Sequence, residues 1–111
     1  LTRRKVPQAA INKLAEMRSE GISILNDKPA DEKALGAWKV KWESWAAGVS
    51  KYLGTHFTLA ERLAFERLGI IREMPFVDGM VLNNVHHHYL LQLSKQLRIL
   101  EDMIQRHLDR R

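Results

Sequence analysis

The chain contains no cysteine. A disulfide framework, a thiolate metal site and a thiol nucleophile are therefore excluded, and the redox compartment is left open. No apolar run approaches the ~20 residues that span a bilayer. Leu1-Thr2-Arg3-Arg4-Lys5 leads into an amphipathic segment, not the apolar stretch of a signal peptide, so a cytoplasmic location is expected. There is no glycine-rich phosphate loop, and the few serines have no His or Lys base at a recognisable spacing. The carboxylates form no pair suited to shared acid–base work. No segment alternates with the period of a half-buried strand, and no internal repeat or low-complexity stretch is present.

An excess of charge is also missing from the body of the chain, although the formal net charge is +5. Arg3, Arg4, Lys5, Arg106, Arg110 and Arg111 lie at the ends and only Asp109 offsets them, so residues 6–105 balance at zero. A nucleic-acid groove needs basic groups gathered on the folded face that follows the phosphates. Basic ends alone support weak, salt-sensitive binding at most.

What the chain does have is helical patterning. It is 111 residues long, 45% hydrophobic and 28% charged, the composition of one globular domain and not of a disordered segment. Trp38, Trp42 and Trp45 fall at steps of four and three residues, within roughly 60° of one another on a helix. Leu35, Val49 and Leu53 extend that stripe. So much apolar area must be buried, in the chain's own core or against a partner.

Three further segments supply faces to cover it. Residues 7–26 carry Ala10, Leu14, Met17, Gly21 and Ile24 on one stripe, flanked by Ile11 and Leu25, with Pro7 suited to a first turn and Asn26-Asp27-Lys28-Pro29 breaking the helix. Gly21 within that stripe suggests a close helix crossing. The tryptophan helix begins at an Asp31 cap or at Pro29 and is expected to stop at Gly54, with Lys39 and Glu43 paired on its polar side. Thr58 and Glu61 form a capping-box pattern opening a short helix with Leu59, Leu63, Ala64 and Leu68 inward, Phe65 on the flank and Gly69 at the end. Residues 70–79 read as a loop pinned by Ile71, Met74, Phe76 and Val77. The last helix runs from about Met80 to Leu108, its seam formed by Leu90, Leu93, Leu97, Leu100 and Ile104 and widened by Val85, Tyr89 and Met103. The expected fold is all-α: a helical bundle of three long helices and one short one.

Four features invite a chemical reading. His86-His87-His88 are consecutive, so on a helix their rings point about 100° apart and cannot converge on one ion. They predict a polar helix start with one ring partly buried, or a mild pH sensitivity. Lys51 and His56 resemble the Arg-x(4–6)-His signature of HEPN-type ribonucleases, with Lys in place of Arg and Gly54 expected to end the helix between them; a degenerate ribonuclease is the remotest reading. Glu61, Glu66 and Glu73 alternate with Arg62, Arg67 and Arg72 as on a solvated helix face with local ion pairs. The tryptophans would suit base stacking only beside basic residues on their own face, and Lys39 and Lys41 are expected to point away from them. No catalytic, cofactor-binding or metal-ligating residue is assigned.

Two stretches resemble the helical domains that precede effector domains in bacterial defence proteins of the predicted nucleotide-binding, TIR-like class. Ala37-Trp38 through Trp45 to Tyr52-Leu53-Gly54 is similar to a Trp-bearing helix that closes on Leu-aromatic-Gly. Tyr89-Leu90-Leu91 through Ile99-Leu100-Glu101-Asp102-Met103-Ile104-Gln105 is similar to the helix that leads into the effector. No catalytic motif of that family is present. The resemblance implies a bacterial sensing or assembly module whose enzyme lies beyond Arg111. Since the chain begins at Leu1 and stops at Arg110-Arg111 directly after a helical pattern, residues 1–111 are expected to be one domain of a longer protein. The expectation is a non-enzymatic interaction or oligomerisation module with a protein partner or a second copy of itself, and with nucleic acid as the alternative partner.

Overall fold

The computed structural model describes residues 6–67 and 82–109. They form an all-α bundle of four helices: α1 (Gln8–Asn26), α2 (Glu32–His56), α3 (Leu59–Glu66) and α4 (Asn84–Asp109). The basic ends 1–5 and 110–111, Leu68, Gly69, the expected loop 70–79 and Met80 lie outside the described residues. Among the described residues there is no strand, and no helix is long and apolar enough to cross a membrane.

Local chemistry sets the helix ends. The Pro7 carbonyl accepts from Ala10 and Ile11, so proline sits at the cap position, one residue before the first turn. Asp31 caps α2, its carboxylate accepting the Ala34 N–H at 2.8 Å, which resolves the choice between Asp31 and Pro29. The capping box of α3 forms in both directions: Thr58 Oγ1 accepts the Glu61 N–H at 3.2 Å and Glu61 Oε1 accepts the Thr58 N–H at 3.1 Å. α4 begins at Asn84 and not near Met80, because the Asn83 side chain caps it by accepting the His86 N–H at 2.9 Å.

Gly54 does not end α2. The helix passes through it to His56, with Phe57 as its C-cap. A Cβ there would meet the Arg62 side chain, whose flexible guanidinium end can move aside. Gly21 performs the crossing role expected of it: a Cβ would lie 2.5 Å from Trp45 Cζ2 and 2.7 Å from Leu97 Cδ2, so α1 meets α2 and α4 there at backbone distance.

The core joins Leu14 and Ile24 of α1, the whole Trp stripe of α2, Phe65 of α3, and Leu90, Leu93, Leu97, Leu100 and Met103 of α4. Ile11 is buried outright and Met17 only partly. Leu59, Ala64 and Val85, all expected to face inward, face out. Leu59 is 68% exposed, because α3 turns Phe65 into the core with its ring edge-on to Trp45; Val85 is 51% exposed, because the first turn of α4 buries His86 instead.

Candidate functional site

The three tryptophans are core residues, between 4% and 9% exposed. Each indole N–H has a defined acceptor. Trp38 donates to the Ile24 carbonyl at 2.8 Å, Trp45 to the Met17 carbonyl at 2.7 Å, and Trp42 to Gln96 Oε1 at 2.9 Å, which explains the buried glutamine on α4. Burial of the ring together with satisfaction of its one donor is how an indole stabilises a core without an orphaned polar group. The stripe is therefore not an open stacking platform. Lys39 extends to a ring on α4. Its ammonium sits 5.3 Å above the Tyr89 ring, which itself stacks on Trp38, whereas Lys41 reaches back to Asp27 at 3.9 Å.

The histidine triplet diverges. His86 is fully buried, more than the partial burial expected, and accepts the Leu82 N–H through Nδ1 at 2.9 Å. His88 lies in solvent and pairs with Gln92. No group of three or more metal-ligating side chains occurs among the described residues. Lys51 and His56 lie on the same helix but about 140° apart. The His56 ring lies 4.4 Å from that of Tyr52, and Lys51 is exposed, so the two do not share a site.

Two polar clusters tie helices together, and of them only the local Arg62–Glu66 pair was legible in the sequence. Glu61 Oε2 and His107 Nε2 lie 2.8 Å apart, both largely buried, and join the start of α3 to the end of α4. Burial pushes the Glu61 carboxyl up. Hydrogen bonds from His107 and from the backbone and side chain of Thr58, with the charge of His107, outweigh it and leave the pKa below the usual value. Residues 46 apart on separate helices give no spacing signal. Nearby, Glu66 accepts from Ser50 Oγ and from Arg62 Nε at 2.8 Å, and both bonds hold its pKa down. Both clusters are accounted for as ties between helices.

The outer face of α2 is not accounted for in that way. Gly36, Ala37, Val40, Ser44, Ala47 and Gly48 are all exposed, Val40 at 66%. A Cβ added at Gly36 or Gly48 would meet nothing within 4 Å. Each glycine costs the helix about 1 kcal/mol against alanine, and here no close packing among the described residues requires it. Lys33, Ala37, Val40, Ser44, Ala47 and Lys51 follow alternating four- and three-residue steps along this face, the register of a helix–helix seam. That spacing was visible in the sequence, but the far larger tryptophan stripe on the same helix masked it. No family model, curated protein or solved structure matches the chain.

Proposed function

We propose that the chain is a non-enzymatic helical module for protein–protein contact, and that a second copy of the chain docks on the outer face of α2. The observation that carries this reading is the pair of exposed glycines, Gly36 and Gly48, which bracket a small, uncharged ridge. Gly36, Val40, Ser44 and Gly48 recur every fourth residue along it, with Ala37 and Ala47 beside them. Two ridges of that type interlock with the helix axes crossing at about 50°, and small residues let the axes approach closely. A twofold axis at the middle of the ridge sets Val40 of one copy against Ser44 of the other and repeats the pair. The neutral ridge thus matches its own copy.

Lys33 and Lys51 are the like charges that this arrangement brings to the same end of the contact. They lie about 13 Å along each helix from the crossing point, where the angle separates the axes by more than about 10 Å and salt largely screens them. A single helix pair buries less than the roughly 1,600 Å² of a standard interface, so association is expected in the range of about 10 μM or weaker.

The resemblance to defence-protein helices supports a bacterial sensing or assembly setting for this contact, with an effector domain in the same polypeptide. Sedimentation equilibrium over a concentration series tests the contact. The apparent mass should climb from the 12.9 kDa of the monomer toward twice that value. Val40→Glu should hold it at the monomer value, and Ser44→Leu should weaken association by adding bulk where the helices meet. Because the chain has no cysteine, disulfide trapping gives the orientation. A mixture of Val40→Cys and Ser44→Cys chains should cross-link faster under mild oxidation than either variant alone. A strict monomer at all concentrations, or a dimer indifferent to these substitutions, overturns the reading.

A further inference from the structure

His86 puts a titratable ring in the buried interior of the bundle. Its ring is 0% exposed and meets Trp38 edge to face, the centroids 5.2 Å apart and the planes at 84°. Nδ1 accepts the Leu82 N–H at 2.9 Å, so the neutral ring carries its proton on Nε2. Among the described residues that Nε2 has no hydrogen-bond partner. The backbone of the same residue donates to Asn83 Oδ1, so one histidine ties Leu82, Asn83 and the start of α4 together while its ring abuts α2.

Protonation breaks the Nδ1 contact. Nδ1 would become a donor facing the Leu82 donor, and a charge would appear where water does not reach. The surrounding charges give no relief. Lys28 from the connection between α1 and α2 and His87 on the same helix both act against a cation at His86. From α2 come the uncharged Trp38 and the ammonium of Lys39 over Tyr89. No carboxylate among the described residues acts on the ring.

We propose that His86 is a pH-operated latch: its neutral ring fastens Leu82, Asn83 and the first turn of α4 to Trp38, and protonation releases them. Burial first, then Lys28 and His87, depress the folded-state pKa below the ordinary 6.5. The unfastened segment thus binds the proton first. The latch is complete above about 6.5, and its stability falls as pH drops below that value toward the folded-state pKa. The Leu93–Met103 half of α4, packed on the core, does not depend on the ring, so release is local.

Hydrogen exchange, corrected for intrinsic rates, reads this directly. From pH 7.5 to pH 5, amide protection over residues 82–88 should fall while that of α1 and of residues 93–103 holds. His86→Gln retains a neutral acceptor and should abolish the pH dependence. A second measurement needs no variant: ¹⁵N chemical shifts of the wild-type ring at pH 7.5 should show the proton on Nε2. Protection that is flat with pH, a pH response unchanged in His86→Gln, or a proton on Nδ1 overturns the latch.

Discussion

The glycine at the centre of α1 offers the sharpest test of how the bundle is held. Gly21→Ala adds one methyl group to a helix interior, a change that ordinarily stabilises by about 1 kcal/mol. Here the new Cβ would lie 2.5 Å and 2.9 Å from two atoms of the Trp45 indole and 2.7 Å from Leu97. Comfortable carbon contacts begin near ~3.5 Å, so a gap of about 1 Å must open on two sides. Trp45 cannot slide freely, because its N–H is held by the Met17 carbonyl and its ring abuts Phe65. Overpacking of this kind costs about 1–3 kcal/mol, and contacts with two neighbouring helices place Gly21 at the upper end. After the propensity gain, a net loss of about 2 kcal/mol is expected, or roughly 8 °C in Tm for a domain of this size. Gly36→Ala and Gly48→Ala should do the opposite and raise Tm by about 2–4 °C each, since their Cβ atoms enter open space. Circular dichroism melts at low micromolar concentration, where self-association contributes little, separate the three variants. A Gly21→Ala protein as stable as wild type would refute the close crossing, and a loss of stability at Gly36 would mean that its face is already occupied.

Gln96→Leu should cost about 1–3 kcal/mol by stranding the buried Trp42 N–H, and adding Trp42→Phe should cost less than the two single changes summed; strict additivity in urea titrations would show that the 2.9 Å bond contributes nothing. Glu61 has a folded-state pKa below the ordinary 4.5, so its contribution to stability is complete above that value and disappears as pH falls through the folded-state value. Urea midpoints taken from pH 6 to pH 3 should therefore fall more steeply for wild type than for Glu61→Gln, and parallel curves would contradict the tie between Glu61 and His107.

Helix existence and core direction were legible wherever apolar residues recurred with the helical period over several turns. The Ala10–Ile24 stripe, the Trp stripe and the Leu90–Leu100 seam all face inward as the spacing implies. The failures fall at short or interrupted pieces. Eight residues of α3 span barely two turns, too few to separate a face containing Leu59 from one centred on Phe65, and the packing of Phe65 against Trp45 decides it. Gly54 reads as a helix terminator because glycine often is one. What lies nearest to it, the Arg62 side chain, belongs to the next helix and leaves no mark in the local pattern.

The same limit governs the candidate interface, and it changes the meaning of the Trp helix. Gly21, Gly36, Gly48 and Gly54 are alike as letters, each inside a helical pattern. Only the neighbours of an added Cβ separate Gly21, which the helix crossing requires, from Gly36 and Gly48, whose added Cβ would meet nothing within 4 Å. On α2 the consequence is a helix with opposed tasks. Its inner face carries three indoles, each with its donor satisfied, and anchors the bundle. Its outer face carries two glycines that weaken the helix by about 1 kcal/mol apiece with no return among the described residues. A sequence shaped by monomer stability alone would place alanine there, as it does at neighbouring Ala37 and Ala47. The inner face is strong enough to tolerate that loss, which is why a close-approach surface can sit on the helix that also organises the core.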